Sequence, residues 1–166
     1  MVADGSVRLE RDGPLAIVTF DSPPLNLFTL ELGQGLEDAV NALEADPPRG
    51  LLFRAEGKVV TGGVDVKLFK RRMEGGGESS DGVRSLLEQN RRVEALPYPT
   101  IFAAHALCLT WAFELALACD ILLASERASF GLVERRVGLT PGAGGTQRLA
   151  ERAGPARARE FVYTAE

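Results

Sequence analysis

At 166 residues the chain is long enough for one domain with a substantial core, and its 45% apolar and 25% charged residues are ordinary for a globular fold. The net charge of −4, with no basic block, argues against a nucleic-acid surface. Apolar runs are broken by charge well short of the ~18 residues a membrane span needs, and the polar start "MVADGSVRLERDG" lacks the apolar core of a secretion signal.

In chain order, "VRLERDGPLAIVTF" (7–20) predicts a β-hairpin turning at Asp12-Gly13. "TLELGQGLEDAVNALEAD" (29–46) places Leu32, Leu36, Val40 and Leu43 at helical spacing and closes on Pro47-Pro48; Gly33 and Gly35 weaken its first turns. "GLLFRAEG" (50–57) reads as a buried strand, followed by the loop "GKVVTGGVDVKLF". Residues 70–82 are polar and Gly-rich, and are expected to be mobile. Val83, Leu86, Leu87, Val93 and Leu96 mark a second helix stopped by Pro97. Then "TIFAAH" predicts a strand, "WAFELALA" a helix, "DILLA" a strand and "ASFGL" a short strand. A loop leads into "PGAGGTQRLAERAG", and "PARAREFVYTA" predicts a last helix with Pro155 near its start.

Alternation of helices and strands after a hairpin predicts an α/β fold with a mainly parallel sheet and right-handed crossovers, residues 1–166 forming one domain. The first strand–helix junction lacks GxGxxG, and "PGAGGTQ" follows a loop rather than a strand, so a dinucleotide fold has little support. Cys108 and Cys119 lie in apolar surroundings without CxxC or a nearby histidine, which favours buried reduced thiols over a metal or disulfide role. His105 is the only histidine, so any histidine-based triad must use it, and nothing else supports one.

Three pieces carry possible chemistry. In "TGGVDVK" (61–67) the paired glycines favour a structural turn on spacing alone; the alternative is an outward-facing Val64 N–H that donates to an oxyanion. If Thr110 caps the next helix, Trp111 is its first residue, with an N–H that has no partner inside the helix. Glu114 follows on the same face, one position beyond where a capping box would use it. It either pairs with an arginine, sits on an exposed edge, or is a buried carboxylate of raised pKa with a functional role. Glu134, before Arg135 and Arg136, reads alone as a surface ion pair; with Glu114 it supplies two carboxylates for acid–base work.

"GKVVTGGVDVKLF", "LTWAFELALACDILLASERASFGLVE" and "VGLTPGAGGTQRLAERAG" together resemble the crotonase superfamily, the enoyl-CoA hydratase/isomerase family. With the hairpin, the likeness covers nearly the whole chain. The resemblance implies a crotonase-like ββα superhelix, with the helical C-terminal section that helps to build trimers absent beyond "EFVYTAE". It implies backbone oxyanion donors at Val64 and Trp111, acid–base roles for Glu114 and Glu134, and substrate contacts at Gly63, Asp65, Lys67 and Gly142. Lys67 falls where a contact to the phosphates of CoA is expected. By the same resemblance the reaction is hydration of 2-enoyl-CoA to 3-hydroxyacyl-CoA in fatty acid metabolism. Coenzyme A then arrives as part of the substrate, with no cofactor, metal, nucleic acid or membrane partner, in a cytoplasmic homo-oligomer. The alternatives are another crotonase-type acyl-CoA reaction (isomerase, decarboxylase or thioester hydrolase) or a non-catalytic acyl-CoA-binding or assembly subunit.

One local departure stands out: Leu109-Thr110-Trp111-Ala112 replaces the family's Gly-rich run. If the position needs positive φ, Trp111 is strained. Its indole is expected to fill part of the acyl pocket, so that Trp111→Gly broadens chain-length acceptance.

Overall fold

A computed structural model of the protein describes residues 6–68 and 81–165. Strands β1 (Val7–Asp12) and β2 (Leu15–Phe20) form the expected antiparallel hairpin, with Val7 opposite Phe20; Asp12 pairs with Leu15, so the turn falls one residue later than expected, at Gly13-Pro14. Helix α1 (Leu30–Ala45) begins at Thr29, whose hydroxyl accepts from the Leu32 amide, the usual way an N-cap satisfies a free donor. Leu32, Leu36, Val40 and Leu43 are all fully buried, as their spacing predicts. The two glycines of its opening turns have a packing reason: side chains there would press into Phe28 and Val7.

Strand β3 (Gly50–Ala55) pairs parallel to β2, and α2 (Asp81–Glu94) then leads to β4 (Thr100–Ala104) beside β3. The loop expected to be mobile lies, up to residue 80, outside the described residues, as does the Val83 side chain. Leu86 and Val93 are buried; Leu96 lies past the end of α2 and packs against the core.

The next three elements build the site. Strand β5 (Leu107–Leu109) is followed by α3 (Trp111–Ala118), all eight residues of which are buried. Strand β6 (Ile121–Ala124) joins β4 to complete a five-stranded sheet, order β1-β2-β3-β4-β6, parallel from β2 onward. Strand β7 (Ser129–Gly131) leaves that sheet and pairs parallel to β5. A 3-10 turn (Glu134–Val137), α4 (Gly145–Ala153) and α5 (Pro155–Thr164) follow. Neither β5 nor α4 was expected from the sequence. Among the described residues, no helix is long and apolar enough to cross a membrane.

The core lies between the five-stranded sheet and α1 and α3. Phe20, Phe53 and Phe102 run across it on neighbouring strands, with ring centroids 6.2 and 6.3 Å apart. Cys108 and Cys119 are buried free thiols, as expected, and burial pushes both up, Cys119 to about 12.

Candidate active site

Three parallel segments deliver the candidate residues to one end of the molecule. Thr61 forms a parallel bridge with Cys108 of β5, and β5 pairs with β7 so that Cys108 faces Phe130. Running forward by three or four residues, these segments reach Val64, Trp111 and Glu134. Parallel pairing makes the three arrive together, at the carboxyl ends of the strands. Two contacts tighten this convergence. The Thr110 amide donates to Gly131 O at 2.9 Å, and Gly63 lies so near Thr110 that a Cβ added there would be 3.4 Å from its Oγ1. Gly63 has φ +112, a conformation that favours glycine, and its carbonyl accepts from Phe28 N.

Val64 bridges Phe28 through its neighbours: Asp65 N donates to Phe28 O, and Phe28 N to Gly63 O. The Val64 amide donates to no described group, and neither does the Trp111 amide that opens α3. Asp65 turns inward to its own loop, its Oδ1 accepting from the Lys67 amide at 2.9 Å. Lys67 is exposed on the helical turn that follows, and Gly142 is exposed in the loop before α4.

Glu114 is 3% exposed. Of the readings open from the sequence, the arginine pair and the exposed edge both fail among the described residues. Instead its Oε1 accepts from the Ala143 and Gly145 amides, both at 2.9 Å. The carboxylate therefore sits at the N-terminus of α4, where free amides and the helix dipole favour an anion. Within "PGAGGTQ", the Ala143 and Gly145 amides thus serve a carboxylate of the chain itself. Gly145 allows that approach, since a Cβ there would lie 2.8 Å from Glu114 Cγ. The loop is clamped from outside: Asn90 and Arg148 both donate to Ala143 O at 3.0 Å, and Arg148 pairs with Glu94 at 2.8 Å. Burial still pushes the Glu114 pKa up; the two amides and the Arg148 charge pull against it.

Glu134 is not the surface ion pair its neighbours suggest. Arg136 instead donates to Ala165 O at 2.9 Å, tying the 3-10 turn to the end of α5. Among the described residues, the Glu134 Oε2 is buried without a partner. Its pKa is pushed up to about 7, by burial first and by the neighbouring Glu114 charge as well. Leaving a carboxylate oxygen buried and unpaired is unfavourable unless the group carries a proton or meets a ligand.

Two expectations about the Leu109–Ala112 run are corrected. The positive φ falls on Thr110 (φ 51, ψ −119), not on Trp111, which takes the first helical position. Nor does the indole enter an acyl pocket. It is 1% exposed, edge-on to Phe20 at 5.0 Å and tilted against Phe28 at 5.8 Å, and its Nε1–H donates to Thr61 Oγ1 at 2.9 Å. Thr61 was not singled out in the sequence, and nothing there distinguishes it from an ordinary turn residue.

His105 belongs to no triad: its Nε2 meets Gly57 O at 3.0 Å. It lines a separate cavity of about 570 Å³ with Arg54, Glu56 and Ser125, away from the two glutamates. Among the described residues, no cluster of three or more His, Cys, Asp or Glu side chains is arranged to hold a metal ion.

A parallel-sheet α/β core with two neighbouring carboxylates and unpaired amides at the end of a small second sheet defines a recognisable class of protein. A sequence model of the enoyl-CoA hydratase/isomerase family matches residues 10–166, and the chain belongs to that family, within the crotonase superfamily. It is 33% identical over 162 residues to a probable enoyl-CoA hydratase of Bacillus subtilis (strain 168), covering 97% of this chain and 62% of the relative. It is 32% identical over 166 residues to a crotonyl-CoA hydratase of Syntrophomonas wolfei, with the same coverages of 97% and 62%. The crystal structure of an enoyl-CoA hydratase from Bacillus anthracis superposes with a TM-score of 0.85 at 29% identity, over 97% of this chain and 63% of that one. The crotonase fold expected from the sequence is therefore the fold observed, and the chain spans about three fifths of the length of these relatives.

Proposed function

We propose that the chain hydrates 2-enoyl-CoA thioesters to 3-hydroxyacyl-CoA. The observation that carries this reading is Glu134: a half-buried carboxylate with one buried oxygen that has no partner among the described residues, beside the buried carboxylate of Glu114, at the end where the Val64 and Trp111 amides emerge. Two relatives with hydratase names support the same class of reaction.

In this reading the two amides donate to the thioester carbonyl oxygen. Preorganised donors in a water-poor site stabilise negative charge as it develops there. Conjugation passes the polarisation to the β-carbon, where water adds. Glu114 is held through Oε1 by the Ala143 and Gly145 amides, so Oε2 is the atom available to take a proton from the water. Glu134 gives its proton to the α-carbon. One C–O and one C–H bond form as one water O–H bond and the carbon–carbon π bond break, and the pair ends with the one proton it began with. A shared proton suits two carboxyls that both favour the neutral form. Lys67 meets the CoA phosphates, while Gly63, Asp65 and Gly142 shape the loops against the thioester. Coenzyme A enters with the substrate and no further cofactor is needed.

The test is turnover of crotonyl-CoA, followed as loss of the conjugated thioester absorbance, beside a Glu114→Gln variant. Retention of both glutamates favours hydration over double-bond isomerisation, and identifying the product as the 3-hydroxyacyl thioester separates the two.

A further inference from the structure

The two amides proposed as oxyanion donors come from segments far apart in sequence, and one of them follows two glycines. Glycine loses more freedom on ordering than any other residue, so Gly62-Gly63 is a loose mount for the Val64 donor. Thr61 fixes it. Its hydroxyl donates to Asn26 O at 2.7 Å and accepts from the Gly63 amide at 3.0 Å and from the Trp111 indole Nε1–H at 2.9 Å. A threonine hydroxyl has one proton to give and two lone pairs to receive, so all of its capacity is used. All of this lies in the interior: Thr61 is fully buried, and Trp111 and Asn26 nearly so.

Trp111 therefore acts in two directions. Its backbone N–H opens α3 without an acceptor among the described residues, while its side chain reaches back to Thr61 at the base of the other donor loop. Phe20 packs perpendicular to the indole at 5.0 Å and Phe28 tilted against it at 5.8 Å, so the ring that donates to Thr61 is held by packing. We infer that the Trp111 indole and the Thr61 hydroxyl form a strut that sets the spacing of the Val64 and Trp111 amides, which makes Thr61 and the Trp111 side chain positioning groups for the reaction. The inference rests on the acyl-CoA reading above. A Gly at position 111 has no side chain with which to make such a tie, so the strut belongs to this chain's Thr110-Trp111 sequence.

The experiment compares the wild type with Thr61→Val, Thr61→Ser and Trp111→Phe. Valine keeps the shape and removes the hydroxyl, serine keeps the hydroxyl, and phenylalanine keeps a ring without the N–H. The first readout is the absorbance of bound p-dimethylaminocinnamoyl-CoA, whose conjugated thioester shifts to the red when its carbonyl is polarised. The second is kcat and KM with crotonyl-CoA. The strut predicts that Thr61→Val and Trp111→Phe lose most of the red shift. It also predicts that kcat falls about tenfold or more, with KM within about threefold, the pattern of an interaction made in the transition state. Thr61→Ser restores both, and the double variant is no worse than either single. The chain has a single tryptophan, so the one indole ¹⁵N–H resonance reports the bond directly and moves in Thr61→Val without any ligand. A red shift and kcat kept in both variants, with only an earlier melt, would overturn the strut and leave the acyl-CoA reading intact. No red shift and no turnover in the folded wild type would overturn that reading and the strut with it.

Discussion

Gly145 is where the fold gives Glu114 its place, and Gly145→Ala tests that arrangement most sharply. The added Cβ would lie 2.8 Å from Glu114 Cγ and 2.9 Å from Oε1, about 0.6 Å inside the ordinary contact distance of 3.4 Å. Both atoms belong to a side chain walled in by α3 and α4, so Glu114 has to withdraw and lose the Ala143 and Gly145 amides. Two hydrogen bonds to an acidic group and the overpacking together cost about 3–4 kcal/mol. Replacing glycine within the helix returns about 0.5–1 kcal/mol, for a net loss of about 2–3 kcal/mol. With a urea m value of about 2 kcal/mol/M, the midpoint falls by about 1–1.5 M. On the proposed mechanism, hydration activity falls with it, because Glu114 is then misplaced. Gly13→Ala is the control: its φ is +56 with no atom of the described residues within 4 Å of the added carbon, so it carries only the left-handed penalty of about 1–2 kcal/mol. A Gly145→Ala midpoint no lower than that of Gly13→Ala, with wild-type turnover, would refute the packing argument.

Four further outcomes follow from the geometry. Glu134 has a folded pKa of about 7, above the ~4.3 of an exposed glutamate, so the folded state holds its proton more tightly than the unfolded one. Its contribution is therefore lost as pH rises from about 4.5 through 7: denaturant titrations should show Glu134→Gln gaining on wild type by about 2 kcal/mol between pH 5 and pH 8, and a constant difference would contradict the burial of Glu134. With Glu134 as the proposed proton donor, wild-type kcat/KM for hydration should fall above about pH 7 as that group ionises. Thr110→Gly should raise the melting temperature or leave it unchanged, since it relieves a β-branched residue at φ 51 and removes a buried hydroxyl that has no partner among the described residues; clear destabilisation would show that the threonine methyl packs better than its backbone is strained. Trp111→Gly should lower stability by about 3–5 kcal/mol by emptying a core site, with relative rates on short and long enoyl-CoAs unchanged, because the indole faces Phe20 and Phe28.

Much of the architecture was legible because it rests on local pattern. The Leu32–Leu43 stripe, the opening hairpin (with its turn one residue later than expected) and the bounds of "WAFELALA" all follow from spacing, turn chemistry and flanking residues. What the sequence did not show depends on partners distant along the chain. Strand β5 is three residues long, too short for a period, and exists because β7 pairs with it some twenty residues later. The opening of α4 is written in glycines, which argue against a helix until the Glu114 carboxylate they admit is in place. Glu134 looked like half of a surface pair because Arg135 and Arg136 follow it; the 3-10 turn sends the glutamate inward and Arg136 to Ala165 O. Family resemblance singled out Val64, Trp111, Glu114 and Glu134, and the structure brings the four to one end of the molecule. The Thr61 hydroxyl and the Ala143 and Gly145 amides, which hold that site in shape, were visible only in three dimensions.

The central claim is that Glu114 and Glu134 act on water and an enoyl thioester held by the two amides. Its most direct test is the rate of crotonyl-CoA hydration by the wild type and by Glu114→Gln, with folding verified by circular dichroism. The account predicts turnover in the wild type and a loss of about 10²-fold or more in the variant. A variant that hydrates at the wild-type rate, or a folded wild type that binds the thioester and leaves it unchanged, would contradict it.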